Sequence, residues 1–111
     1  MKTFVAKLRE SYIRKIENIL RRVLAANGNA VEVDKVVTLT DIDDLTDEAC
    51  LLPFRLRTVS IASDNTVLVA ISYVGGNQWN GAKESDIFNQ PFRDFSSDDC
   101  ERMLELVLAS V

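Results

Sequence analysis

The sequence predicts an α+β domain in which an antiparallel sheet of three to four strands is covered on one face by an N-terminal and a C-terminal helix. Three observations support this fold class. Apolar residues recur at helical spacing at both ends of the chain, and they alternate with polar residues in the middle. The pair Asp64-Asn65 stands between two apolar runs, which predicts a hairpin and therefore antiparallel strands.

The first helix is predicted over residues 3–26, and Asn27 and Gly28 end it because both tolerate the left-handed backbone of a helix C-terminus. Its apolar positions cover an arc of about 160°, more than one neighbouring helix can bury. Packing on a sheet, or on a sheet and a second subunit, would bury the whole arc. The apolar positions are Val5, Leu8, Tyr12, Ile16, Ile19, Leu20 and Val23.

Three strands follow the first helix. Residues 31–39 alternate between apolar and polar side chains, with Lys35 out of phase. The hairpin joins residues 54–62 to residues 66–74, and a change of apolar face in its first strand predicts a β-bulge near Thr58. Its second strand is apolar on both faces, which predicts a position inside the sheet.

The second helix is predicted over residues 97–110, with Ser96 as a favourable N-cap. Cys100 falls on its apolar stripe. Asp99 and Glu101 flank this cysteine and disfavour a thiolate, so the pattern predicts a buried thiol rather than a nucleophile.

The acidic cluster that follows the first strand is predicted to begin a short helix over residues 46–52, since acids stabilise the first turn of a helix. Asp41 and Asp43 resemble the opening of a calcium loop, but the sixth and twelfth positions hold Thr46 and Leu52 instead of glycine and glutamate. The sequence therefore predicts no metal site and no cofactor.

The segment from Gly75 to Phe95 is predicted to be an irregular loop containing a short edge strand at residues 86–89, and long loops are often functional. Aromatic rings beside amide groups could stack on a sugar or a base, or anchor a protein contact. The alternative is that the rings close the core beneath the loop. The candidate recognition residues are Gln78, Trp79, Asn80, Phe88 and Phe92.

The charge is divided unevenly along the chain. The first 22 residues contain seven basic and two acidic side chains, whereas the remainder contains six basic and 15 acidic ones. A basic helix face could follow a nucleic-acid backbone. Ion pairs of Glu10 with Arg14 and of Glu17 with Arg21 favour a solvated surface instead, and those acids would repel phosphates. The candidate basic face consists of Lys7, Arg14, Lys15, Arg21 and Arg22.

The composition favours a single domain spanning residues 1–111 and disfavours an enzyme. The chain has no histidine, which removes the commonest proton-transfer group and metal ligand. The first 20 residues lack a secretory pattern, and the longest uncharged stretch is strongly apolar only over residues 67–74, short of the roughly 20 residues that a membrane span needs. We therefore expect a cytoplasmic protein without a membrane segment.

These patterns lead to one functional hypothesis and two alternatives. The hypothesis is a small acidic, non-enzymatic protein-interaction module whose partner is another protein or a second copy, the latter forming a homodimer through the N-terminal helix. The first alternative is a nucleic-acid-associated module that uses the basic face. The second is a small-molecule or glycan site around Trp79.

Overall fold

The computed structural model describes residues 2–43, 48–74 and 86–111, and it describes side chains from residue 9 onward except those of residues 39–52. The chain forms an α+β fold, as predicted. One four-stranded antiparallel sheet has the order β1-β2-β3-β4, and two helices pack against it. The elements are α1 (Lys2–Ala26), β1 (Ala30–Asp43), β2 (Glu48–Ile61), β3 (Val67–Tyr73), β4 (Phe88–Pro91), a 3₁₀ turn (Phe92–Asp94) and α2 (Ser97–Ser110).

Helix α1 confirms the predicted first helix and ends as its sequence indicates. The Asn27 and Asn29 amides both donate to the Leu24 carbonyl, at 2.9 and 2.7 Å. Gly28 and Asn29 have φ angles of 76° and 68°, so the chain reverses through two left-handed residues. Strand β1 therefore begins directly after this reversal.

Strands β1 and β2 form a long hairpin, and this corrects the short helix predicted over residues 46–52. Residues 48–52 belong to β2, where their backbone pairs with β1 from Asp43↔Glu48 to Leu39↔Leu52. Continuous hydrogen bonding to an adjacent strand outweighs the weak local preference of acidic residues for a helix start.

A β-bulge interrupts β1 between Glu32 and Lys35, and Asp34 adopts a φ of 49° within it. Val31, Val33 and Val37 are buried on both sides of the bulge, so the alternation of β1 keeps its phase across it. Lys35 is an exposed residue at a position where this alternation would place a buried one.

Strands β2 and β3 form the predicted hairpin. The Ala62 amide donates to the Thr66 carbonyl at 2.8 Å, and Asn65 has a φ of 72°. The Asp64 carboxylate accepts a hydrogen bond from the Thr66 amide at 3.1 Å, and the hydrogen bonding to Thr66 lowers the pKa of Asp64. A register shift between Leu56 and Thr58 confirms the predicted bulge, and pairing with both β2 and β4 confirms that β3 lies inside the sheet.

The core lies between the two helices and one face of the sheet. Alternate residues of β3 enter it, namely Val67, Val69 and Ile71, and both helices contribute to the same apolar cluster. The helical contributors are Ile13, Ile16, Leu20, Leu24, Cys100, Met103 and Val107. Of the predicted apolar positions of α1, only some are therefore needed to cover the sheet.

The chain enters α2 from the edge strand β4, whose bounds lie two residues beyond the predicted edge strand. Phe92 fills the core directly after this strand. The Ser96 hydroxyl accepts a hydrogen bond from the Asp99 amide at 3.2 Å, which confirms the predicted N-cap. Among the described residues, neither helix is both long and apolar enough to cross a lipid bilayer.

Candidate interaction surface

An apolar ridge on α1 remains exposed after the helix has packed on the sheet. It is formed by Tyr12, with an exposed fraction of 41%, and Ile19, with an exposed fraction of 44%. The two residues are seven positions apart, so they lie on one line along the helix. Val23 continues the line and is half-buried against the core. We refer to Tyr12 and Ile19 as the ridge.

Helix α2 borders the ridge with an acidic stripe formed by Asp98, Glu101 and Glu105, all of which are exposed. Their spacing of three and four residues places them on one side of α2. The Tyr12 hydroxyl donates a hydrogen bond to the Glu101 carboxylate. This bond raises the pKa of Tyr12, and the charges of Glu101 and Asp98 raise it further. The acidic stripe therefore borders the ridge at its Tyr12 end, through Glu101 and Asp98.

The predicted basic face divides into two groups. Arg14, Lys15 and Arg22 are exposed, whereas Arg21 is half-buried and fully engaged. Its guanidinium donates to the Asn65 carbonyl at 3.0 Å, to the Asn18 side chain at 2.9 Å and to Glu17 at 2.7 Å. Lys7 belongs to α1, but its side chain lies outside the described ones. Arg21 is therefore engaged within the molecule, whereas Arg14, Lys15 and Arg22 of the predicted face point to solvent.

The ion pair of Glu17 with Arg21 is present, but the expected solvated setting is wrong. Glu17 retains an exposed fraction of only 2%. Its Oε1 accepts hydrogen bonds from Arg21 at 2.7 Å and from Arg93 of the 3₁₀ turn at 3.0 Å. The contact with Glu17 raises the pKa of the Arg93 guanidinium. Two arginines compensate one buried carboxylate, which is the condition for placing a charge in a core.

The sequence does contain a signal for the burial of Glu17. Ile13, Glu17, Leu20 and Leu24 follow one another at spacings of four, three and four residues, so Glu17 occupies an apolar position of the helical pattern. Its arginine partner four residues later suggested a surface pair and concealed this position. The second partner, Arg93, is distant in sequence.

Glu17 lines one wall of a cleft of about 270 Å³ between α1 and the 3₁₀ turn. The cleft also contains Glu10, Ile13, Arg14, Arg93 and Asp94. Within the described part of the chain, Glu17 Oε2 makes no hydrogen bond. The lining alternates carboxylates with guanidiniums, so the cleft has mixed charge rather than the single-signed field that would concentrate an ionic substrate.

Of the predicted recognition residues, the structure describes Phe88 and Phe92, which lie in different environments. Gln78, Trp79 and Asn80 lie outside the described residues. Phe88 is exposed on the edge strand β4, whereas Phe92 is fully buried. Phe92 therefore agrees with the alternative in which an aromatic ring closes the core, and it is not available for recognition in this conformation.

The Cys100 thiol is buried, as the sequence predicts. It donates to the Phe92 carbonyl at 3.4 Å. Burial raises the pKa of Cys100 to about 12, and the negative charge of Asp99 acts in the same direction. A thiol in this setting stays protonated at neutral pH and functions as a packing group.

Among the side chains that the structure describes, which exclude those of residues 2–8 and 39–52, no group of three His, Cys, Asp or Glu is arranged to hold a metal ion. Comparison with known proteins finds no matching family model, no matching curated protein and no matching solved structure.

Proposed function

We propose that this protein is a small, non-enzymatic interaction module that self-associates as a homodimer through the ridge on α1. The single observation that carries the proposal is the exposure of Tyr12 and Ile19 on a helix whose other described apolar side chains pack in or against the core from Ile13 to Leu24. Each is a large apolar group that is still 41–44% exposed. Complete burial of a large apolar side chain from full exposure contributes about 1.5–3 kcal/mol, so covering the exposed part of each residue contributes a fraction of that amount. The sheet of the same molecule does not cover them.

The chemistry of the ridge supports a protein contact. Tyrosine combines a large apolar area with a polar end and is common at the centre of interfaces. Charged side chains surround the ridge on α1 and α2, as a polar rim surrounds the apolar centre of an interface. A second copy is the partner we propose, because the surface carries both charge signs and can be complementary to itself.

The described ion pairs support a structural rather than a catalytic use of the buried charges. Glu17 is neutralised by Arg21 and Arg93, which join α1 to the 3₁₀ turn before α2. Cys100 is held protonated by its burial. Both groups therefore serve the fold that presents the ridge.

The experiment is a measurement of solution mass by sedimentation equilibrium over a range of protein concentrations. We expect a reversible dimer for the unmodified protein. Ile19→Glu should weaken the dimer by roughly tenfold or more, because each subunit would bring a charge to the apolar centre.

Val36→Glu is the matched control. Val36 is a large apolar residue with an exposed fraction of 52%, and it lies on β1 opposite Arg55, away from the ridge. This variant should retain the wild-type dissociation constant. A strictly monomeric wild-type protein, or equal effects of the two substitutions, would contradict the proposal.

A further inference from the structure

We infer that the two copies pack with their α1 helices parallel, about a twofold axis that runs along the ridge. This inference rests on the proposed function and specifies the arrangement of its partner. It follows from the order in which charges surround α1.

The ridge separates two flanks of opposite charge. On one side, Lys15 and Arg22 lie about 60–80° around the helix axis from Tyr12, and both are exposed. On the other side lies α2, whose Glu101 accepts the hydrogen bond from Tyr12. We call these sides the basic flank and the acidic flank, the latter being the acidic stripe of α2.

Two further observations agree with this position of α2. Arg9 lies about 60° from Tyr12 in the direction opposite to Lys15, and its charge acts on Cys100 of α2. Arg102 of α2 reaches the Thr38 carbonyl of β1 at 3.5 Å and so points away from the ridge. The exposed surface beside Tyr12 on this side therefore carries the carboxylates of Asp98 and Glu101 together with the guanidinium of Arg9, so its net charge is negative.

Symmetry restricts how such a surface can meet itself. A homodimer with a twofold axis brings the same patch of each copy together. If the axis runs along the ridge, the basic flank of each copy faces the acidic flank of the other, and the helices are parallel. If the axis crosses the ridge at a right angle, basic faces basic and acidic faces acidic, and the helices are antiparallel.

Electrostatics selects the first arrangement. Opposed like charges at an interface disfavour association strongly, whereas complementary flanks also accelerate the encounter of the two copies. In the parallel arrangement Ile19 packs near Ile19 of the second copy, and Tyr12 near Tyr12. The spacing of seven residues between them suits two helices that run side by side.

Disulfide formation between variants that each carry one introduced cysteine tests the orientation. The background is Cys50→Ser with the buried Cys100 retained. Ile19→Cys alone and Tyr12→Cys alone should each form covalent dimers under mild oxidation. Val36→Cys measures the rate due to random collision, and both ridge variants should exceed it by roughly tenfold or more because association raises the local thiol concentration.

A mixture of Tyr12→Cys protein and isotopically labelled Ile19→Cys protein distinguishes the antiparallel arrangement. In that arrangement the mixed Tyr12–Ile19 disulfide would dominate in mass spectrometry, and the orientation would be wrong while self-association through the ridge remained correct. A dimer that shows no acceleration at either position would also contradict the inference. A monomer by sedimentation would contradict both the inference and the proposed function.

Charge exchange provides a second test that does not use cysteine. One variant carries Lys15→Glu and Arg22→Glu, and the other carries Glu101→Lys and Glu105→Lys. Each variant alone should have a dimer dissociation constant that is higher by roughly tenfold or more, because flanks of like charge then face each other on both sides of the ridge. Their mixture should form a heterodimer of near wild-type affinity, since flanks of opposite charge then face each other on both sides of the ridge. If the mixture is as weak as the single variants, the complementary flanks are not in contact.

Discussion

The two sides of α1 differ in what the fold does with them. One side buries a carboxylate, Glu17, among aliphatic side chains, whereas the other leaves Tyr12 and Ile19 exposed. Polarity alone therefore does not decide which residues are buried. The sheet covers a limited sector of the helix, and ion pairs with two arginines stabilise the charged group that is buried inside that sector.

The largest expected effect concerns the buried carboxylate of Glu17 and its two arginine partners. Changing both Arg21 and Arg93 to methionine removes the two described cationic partners of the buried Glu17 carboxylate. We expect the free energy of unfolding to fall by about 3–5 kcal/mol, measured by urea denaturation. Adding Glu17→Met to this variant should restore part of the loss, because the buried charge is then absent. A double variant as stable as the wild type would show that Glu17 does not depend on the arginines.

Adjacent residues on the two sides of α1 offer a direct comparison. Leu20 is fully buried and Ile19 is largely exposed. Leu20→Ala should lower the free energy of unfolding by about 2–5 kcal/mol because it creates a cavity in the core. Ile19→Ala should change it by about 0.5 kcal/mol or less at concentrations where the protein is monomeric. Similar losses for the two variants would show that the ridge is part of the core.

Among the groups whose change should measurably lower stability, Cys100 has the smallest expected effect. Its pKa is raised from an ordinary value of 9.0 to about 12 in the folded protein, so the unfolded chain loses this proton at lower pH than the folded one does. The stability due to the neutral thiol is present below pH 9 and is lost between pH 9 and about 12. We expect a loss of about 1 kcal/mol on raising the pH from about 8 to about 10.

The control for this pH dependence is Cys100→Ala, since other groups also titrate in the alkaline range. The difference between the unfolding curves of the wild type and the variant isolates the thiol. A difference that stays constant with pH would show that Cys100 does not remain protonated in the folded state.

Local features of the structure are predictable from short segments. The end of α1 needs residues that accept a positive φ, and the start of α2 needs a side chain that accepts a hydrogen bond. The β2–β3 turn needs one residue of each kind, namely Asn65 for the positive φ and Asp64 as the acceptor. Each requirement involves neighbours within a few positions. For that reason the helix bounds, the Ser96 cap and the bulge near Thr58 could be located without coordinates.

The candidate surface was only partly predictable. The breadth of the apolar arc indicated that α1 has more to bury than one partner covers, but not which part remains exposed. Tyr12 and Ile19 were assigned to the arc together with Leu20, which is buried. This difference in burial depends on where α2 and the sheet lie, and those positions involve contacts over long sequence distances.

The amino-acid sequence by itself determined the fold class, the two helices, the central hairpin and the uneven charge, because periodicity and turn chemistry act locally. Only the tertiary structure decided that residues 48–52 extend β2, that Glu17 is buried beside Arg93, and that the acidic stripe of α2 borders the ridge of α1. Each of these outcomes joins segments that are remote along the chain. Backbone pairing and burial in the folded state then outweigh the preferences of the individual residues.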